Sequence, residues 1–149
     1  MPLRLRTTLP SLEGASEWIN GKPDPAELKG SLVLVYFWAL SCPVCLENLP
    51  KLIKLSNAYT NRGLKVILIH CPRMKSDGNT EMVREAVTLL SIKEPCGIDT
   101  YHKIKRSFQN EIWPSYYLFD WDGRLKRRTS GKSGLVLVEP VFQKLVELG

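Results

Sequence analysis

Hydrophobic and polar positions fall in blocks along this chain, and the blocks follow two rhythms. Residues 31–38, SLVLVYFW, form an unbroken apolar run rich in β-branched and aromatic side chains, the composition of a strand buried on both faces. From Cys42 to about Arg62 the apolar residues Leu46, Leu49, Ile53, Leu55 and Tyr59 recur near helical spacing, and NRG at 61–63 ends the stretch on a glycine. A second apolar run, LKVILIH at 64–70, follows at once. Strand, helix and strand in this order predict a βαβ unit, whose crossover is almost always right-handed.

Further along, CPRMKSDGN (71–79) reads as a loop and TEMVREAVTLLSI (80–92) as a helix capped by Asn79 or Thr80. A short extended piece at PCGID precedes a helical stretch, TYHKIKRSFQ. SYYLFD (115–120) then predicts a strand, WDG (121–123) a hairpin turn with Asp120 and Asp122 as turn formers, and RLKRRTS the antiparallel return strand. The last helix spans about 136–148. In the first thirty residues, LRLRTTL and WINGKPDPAELKG suggest an edge strand and a loop packed on the main body. The order implies an α/β fold, a mixed sheet covered by helices. With no linker in the chain, residues 1–149 read as one domain.

Composition narrows the class without changing this picture. At 149 residues, 44% of them hydrophobic, the chain is long enough to bury a proper core. Its N-terminus alternates Leu with Arg and lacks the apolar core of a signal peptide, and no apolar run approaches the ~20 residues of a membrane span. Four cysteines at 42, 45, 71 and 96 are too few and too irregular for a secreted disulfide framework. The expected compartment is therefore the cytoplasm, without membrane association. The net charge of +6 gathers partly in KIKR (103–106) and RLKRR (124–128). No aromatic residue interleaves the second cluster, so a solvated helix face and a charged, aggregation-resistant edge strand are expected rather than a nucleic-acid platform. SGKSG at 130–134 lacks the earlier glycine of a phosphate loop, and His102 is expected to be solvated.

The candidate chemistry sits where the first strand meets the first long helix, at SCPVC (41–45). With Cys42 as N-cap and Pro43 at the first helical position, the free amides of Val44 and Cys45 and the positive helix end favour a Cys42 thiolate. Such an environment lowers a thiol pKa from ~8.5 into a range of about 3.5 to 7.5. Cys45, one turn inside, is placed to attack a mixed disulfide formed by an uncovered Cys42 sulfur. A structural staple would close too short a loop to constrain the unfolded chain. Zinc would need further ligands, for which His70 and Cys71 are the nearest candidates; a metal-binding or sensor module using Cys42, Cys45, His70 and Cys71 is the alternative to a redox pair. Cys71 reads otherwise as a buried filler.

These residues resemble the thioredoxin-fold family. YFWALSCPVC is similar to its strand-to-active-site segment, Pro50 stands where the family has a helix-kinking proline, and IWPSYYLFDWDGRL resembles its cis-proline segment and hairpin. The N-terminal extension before LKGSLVLVYFW and a central insertion look like the ResA/TlpA branch of thiol-disulfide oxidoreductases. The resemblance implies a three-layer sandwich in which Cys42 attacks, Cys45 resolves, and Pro114 is cis and lies against the pair. Trp113, Pro114, Trp38 and Pro43 would meet the substrate. It further implies a monomer that reduces disulfide-containing proteins, with no cofactor and no metal, and is re-reduced by a thioredoxin reductase or a small thiol.

Departures from the family are specific. Tyr36 stands six residues before Cys42, where thioredoxins have a buried aspartate. Asn48 stands three residues after Cys45, where the ResA branch has a glutamate, with Glu47 rotated about 100° away. The usual proton acceptor for Cys45 is therefore missing, and Ser41 makes a smaller, more polar rim than the tryptophan common there. Peroxiredoxins share the fold and form a second alternative, but the positions of their signature Thr and Pro hold Cys42 and Trp38.

Overall fold

The computed structural model describes residues 2–149. In chain order the elements are β1 (Glu17–Ile19), α1 (Pro25–Leu28), β2 (Leu32–Trp38), α2 (Pro43–Tyr59), β3 (Leu64–His70), α3 (Thr80–Leu89), β4 (Cys96–Ile98), α4 (Lys103–Ser107), β5 (Ser115–Phe119), β6 (Leu125–Ser130) and α5 (Gly134–Leu148). Short 3-10 turns occupy Thr60–Arg62 and Lys75–Gly78. One mixed sheet runs β1-β4-β3-β2-β5-β6. Its centre, β2, lies parallel to β3 on one side and antiparallel to β5 on the other.

The unbroken apolar run of β2 follows from burial on both faces. Leu32, Leu34, Tyr36 and Trp38 enter one core cluster, Val33, Val35 and Phe37 the other. Helices α2, α3 and α5 cover the first face through Cys45, Leu49, Leu52, Val83, Val87, Val138 and Phe142. On the second face lie Leu28 of α1, Ile104 of α4, Phe108 and Leu3. Each fully buried Val, Leu or Phe stabilises such a sandwich by about 1.5–3 kcal/mol. The result is the three-layer α/β arrangement, with the βαβ unit at 32–70 as its core.

Differences from the sequence reading concentrate at the N-terminus. The edge strand falls on Glu17–Ile19, antiparallel to β4, while LRLRTTL runs beside the start of β6 without forming a strand, bonded through Arg6 N–H and the Thr7 carbonyl to Leu125 and through the Thr8–Arg124 bridge. Within the expected loop, Asp24 caps α1 by accepting from the Ala26 N–H at 2.9 Å, with Pro25 in the first turn. His102 is half-buried rather than solvated, its Nε2 lying 2.7 Å from the Pro72 carbonyl. At the opposite edge, β6 exposes Lys126, Arg127 and Arg128, charges that oppose edge-to-edge pairing. Asp120 Oδ1 accepts from the amides of Asp122 and Arg124, fixing the β5–β6 turn.

This topology decides where chemistry can gather. The chain leaves β2 at Trp38 and enters α2 at Pro43, so residues 39–42 sit at one end of the sheet. The segments after β3 and before β5 flank that end, because those strands are the two neighbours of β2.

Candidate active site

Cys42 is the N-cap residue of α2, with extended backbone (φ −105°, ψ 100°), and Pro43 occupies the first helical turn. Its Sγ accepts from the Cys45 N–H at 3.1 Å, so one free amide of the helix start is aimed at sulfur. Cys42 and Cys45 form a disulfide, their Cα atoms 5.2 Å apart. After reduction the same N–H and the positive helix end favour charge on the Cys42 sulfur. The expectation of an uncovered sulfur is corrected: Cys42 is only 2% exposed, packed in the core cluster that Trp113 also joins. Access to the pair therefore runs over its rim.

The rim is built from three segments. Ser41 is half-buried and Pro43 exposed at the start of α2. The Trp113–Pro114 peptide is cis; Pro114 is buried, and its carbonyl accepts from Gly131 N–H at 2.9 Å. Trp113 is half-buried, donates its indole N–H to the Cys71 carbonyl at 2.9 Å, and carries Lys105 over its ring. The third segment, the loop after β3, contributes a group the sequence reading missed. Asp77, 2% exposed, accepts from Ser41 N–H at 2.8 Å, Ser41 Oγ–H at 2.7 Å, and the amides of Arg73 and Met74 at 3.0 and 3.1 Å. Burial alone would raise its pKa, but these bonds outweigh it and hold the carboxyl below the usual range. Arg73 closes the clamp by donating Nε–H to Ser41 Oγ at 2.9 Å and Nη2–H to the Ser41 carbonyl. A carboxylate following an arginine within one polar loop was the available signal, but nothing in the sequence pointed it at Ser41.

Trp38 leaves the set of substrate contacts. It is 0% exposed, the last residue of a strand buried on both faces, and its ring meets His70 edge-on at 4.9 Å. His70 is equally buried; its Nε2 accepts from Leu40 N–H at 3.2 Å, and burial pushes its pKa down to about 4 against the pull of Asp77. Cys71 belongs to the cluster on the sheet face opposite to the pair, and burial raises its pKa far above the thiol range. Among the described residues no group of three or more His, Cys, Asp or Glu side chains is placed to hold a metal ion. The four residues of the metal-module alternative are thus not assembled as a ligand set.

Beneath the pair, Tyr36 donates its hydroxyl to the Cys45 carbonyl at 2.8 Å and packs on Tyr116 with ring centroids 4.8 Å apart. Burial lifts Tyr36 far above its ordinary range and Tyr116 to about 12, so neither hydroxyl is a base near neutrality. Asn48 is 2% exposed and donates to the Lys132 carbonyl at 3.5 Å, whereas Glu47 faces solvent, two residues and some 200° around the helix from Cys45. The carboxylate absent from positions 36 and 48 is not replaced by Glu47.

The sequence profile described as the AhpC/TSA family matches residues 8–128. The chain is 32% identical over 138 residues to the thiol-disulfide oxidoreductase YkuV of Bacillus subtilis, covering 92% of this chain and 93% of that protein. With the thiol-disulfide oxidoreductase ResA of Bacillus cereus it shares 26% identity over 119 residues, 80% of this chain and 66% of ResA. Among solved structures, that of a thioredoxin-like protein in its oxidised form, determined in solution, superposes with a TM-score of 0.88 at 30% identity, over 97% of this chain and 98% of that one.

Proposed function

We infer that Cys42 attacks and Cys45 resolves in this chain, which belongs to the AhpC/TSA family and is a thioredoxin-fold thiol-disulfide oxidoreductase of the ResA/TlpA type. The reaction is a two-electron exchange with a protein disulfide. The Cys42 thiolate attacks one substrate sulfur, the substrate S–S bond breaks, and the departing thiolate takes a proton. Cys45, once deprotonated, attacks Cys42 Sγ, expels the second substrate thiolate and forms the intramolecular disulfide. The substrate gains two electrons from the enzyme pair, and of the two protons its thiolates take up, one balances that lost by Cys45 and the other comes from solvent. With neither Tyr36 nor Asn48 able to act as a base near neutrality, the Cys45 proton leaves to solvent or to the departing thiolate.

One observation carries this reading: the bonded pair sits at the start of α2 with the Cys45 amide on the Cys42 sulfur at 3.1 Å. Pro43, Trp113 and the backbone around Pro114 supply the docking edge for an extended substrate segment. We assign the protein to the cytoplasm, acting as a monomeric single domain and as a reductase renewed by a thioredoxin reductase or a small thiol. In support, no helix among the described residues is long and apolar enough to cross a membrane.

The test is a Cys45→Ser variant incubated with oxidised proteins and resolved by non-reducing electrophoresis, with insulin reduction by the parent protein in parallel. Adducts on Cys42 and accelerated insulin reduction are expected. No adduct and no acceleration would remove the assignment.

A further inference from the structure

We propose that the mouth of the redox pair is a cationic cleft that favours protein disulfides flanked by acidic side chains, with Arg73 and Lys105 as its specificity-determining residues. The inference rests on the exchange reaction above and concerns which disulfides enter it. The two cations sit on two different segments of the rim, Arg73 on the Ser41 turn and Lys105 on Trp113. Arg73 is exposed and pinned by Nε–H to Ser41 Oγ at 2.9 Å and by Nη2–H to the carbonyl of Ser41, the residue before Cys42. Lys105 holds its Nζ 5.8 Å from the ring centroid of Trp113, the residue before Pro114. That ring is itself anchored by its 2.9 Å bond to the Cys71 carbonyl. A substrate segment that reaches Cys42 over Ser41 and Trp113 comes within range of both.

Among the described residues neither cation is engaged in a direct ion pair: the pairs are Lys22 with Glu13, and Arg84 with Glu17 and Glu81. The two buried carboxylates nearby are held by backbone and hydroxyl donors, not by the cationic heads of Arg73 and Lys105. Asp77 is buried on its four donors, and Asp99, 0% exposed, accepts from the amides of Ile104 and Lys105 at 3.0 and 2.8 Å. Glu47 lies on the solvent side of α2, and Glu111, two residues before Trp113, is the exposed acid of the adjoining loop. The cations are also partly immobilised by neutral partners, so pairing with a substrate carboxylate sacrifices less side-chain freedom than a loose surface lysine would.

The test uses the reduced, full-length protein and two disulfide peptides of equal length, one with glutamates and one with lysines beside the cystine. At an ionic strength of about 0.01 M the acidic peptide is expected to oxidise the pair about 10-fold faster. The preference should shrink to about 2-fold near 1 M salt, where the screening length is about 3 Å. Arg73→Gln and Lys105→Gln should each reduce the low-salt preference about 3-fold. Lys105→Gln leaves the Ser41 contacts in place, so it reports on charge even if the arginine variant perturbs the loop. Equal rates with the two peptides, or a preference unchanged in both variants, would overturn the proposal and leave the exchange reaction standing. Failure of both peptides to oxidise the pair would overturn both.

Discussion

Ser41 and Asp77 are 36 positions apart in the chain and 2.8 Å apart at the site. That contact holds the residue preceding Cys42 with a buried carboxylate, and the same carboxylate satisfies two further amides of its own loop. Replacing Asp77 with Ala strands four donors at once. Each buried donor left without a partner costs about 1–3 kcal/mol, less where water reaches it, so a loss of about 2–4 kcal/mol in urea unfolding is expected. Insulin reduction should slow as the Ser41 turn loosens. A variant as stable as the parent would show that the clamp is dispensable. The pair itself was legible from SCPVC, since the N-cap position and Pro43 follow from helix-start chemistry alone. The clamp was not, because it depends on two loops meeting across the end of the sheet. The resemblance places Trp38 at the substrate, whereas the uninterrupted apolar run that ends on it implies the burial found.

At the scale of elements, α2 presents the pair, while β5 and α5 support it from below. Gly134, at the start of α5, lies so close to Tyr116 that an added Cβ would stand 2.6 Å from its ring atoms. Tyr116 in turn packs on Tyr36, whose hydroxyl holds the Cys45 carbonyl. Gly134→Ala must therefore displace a buried ring rather than a flexible tip. Overpacking of this kind costs about 1–3 kcal/mol, to be read as a lowered urea midpoint, and an unchanged midpoint would contradict the close packing described. Helix and strand periods made most of these elements legible in the sequence, with boundaries shifted by a few residues. The exceptions are short. β1 has three residues and α1 four, too few for any period to show, although Asp24 followed by Pro25 was a readable helix start.

For the molecule as a whole, a sheet buried on both faces has forced a histidine into its interior. Leu40 N–H points at His70 Nε2, so the ring proton sits on Nδ1, which has no partner among the described residues. Burial pushes the His70 pKa down to about 4, below the ~6.5 of an unfolded chain. The folded protein then binds fewer protons than the unfolded one between those values. Its contribution to stability is complete above pH ~6.5 and declines as pH falls toward 4, by at most about 1.4 kcal/mol per pH unit. Urea midpoints at pH 7.5, 6.5 and 5.5 should be level between the first two and lower at the third. A flat series would mean that His70 titrates normally.

Exchange at this site depends on charge at the Cys42 sulfur, and thiolate absorbance of the reduced protein, followed against pH, measures that charge directly. Burial raises Cys71 far out of range and Cys96 to about 12, so both stay silent through neutrality. One thiolate is expected to titrate between about 3.5 and 7.5 and to vanish in Cys42→Ser. If no thiolate forms below pH ~8.5, or if the serine variant titrates like the parent, the helix start does not activate this cysteine and the proposed exchange loses its nucleophile.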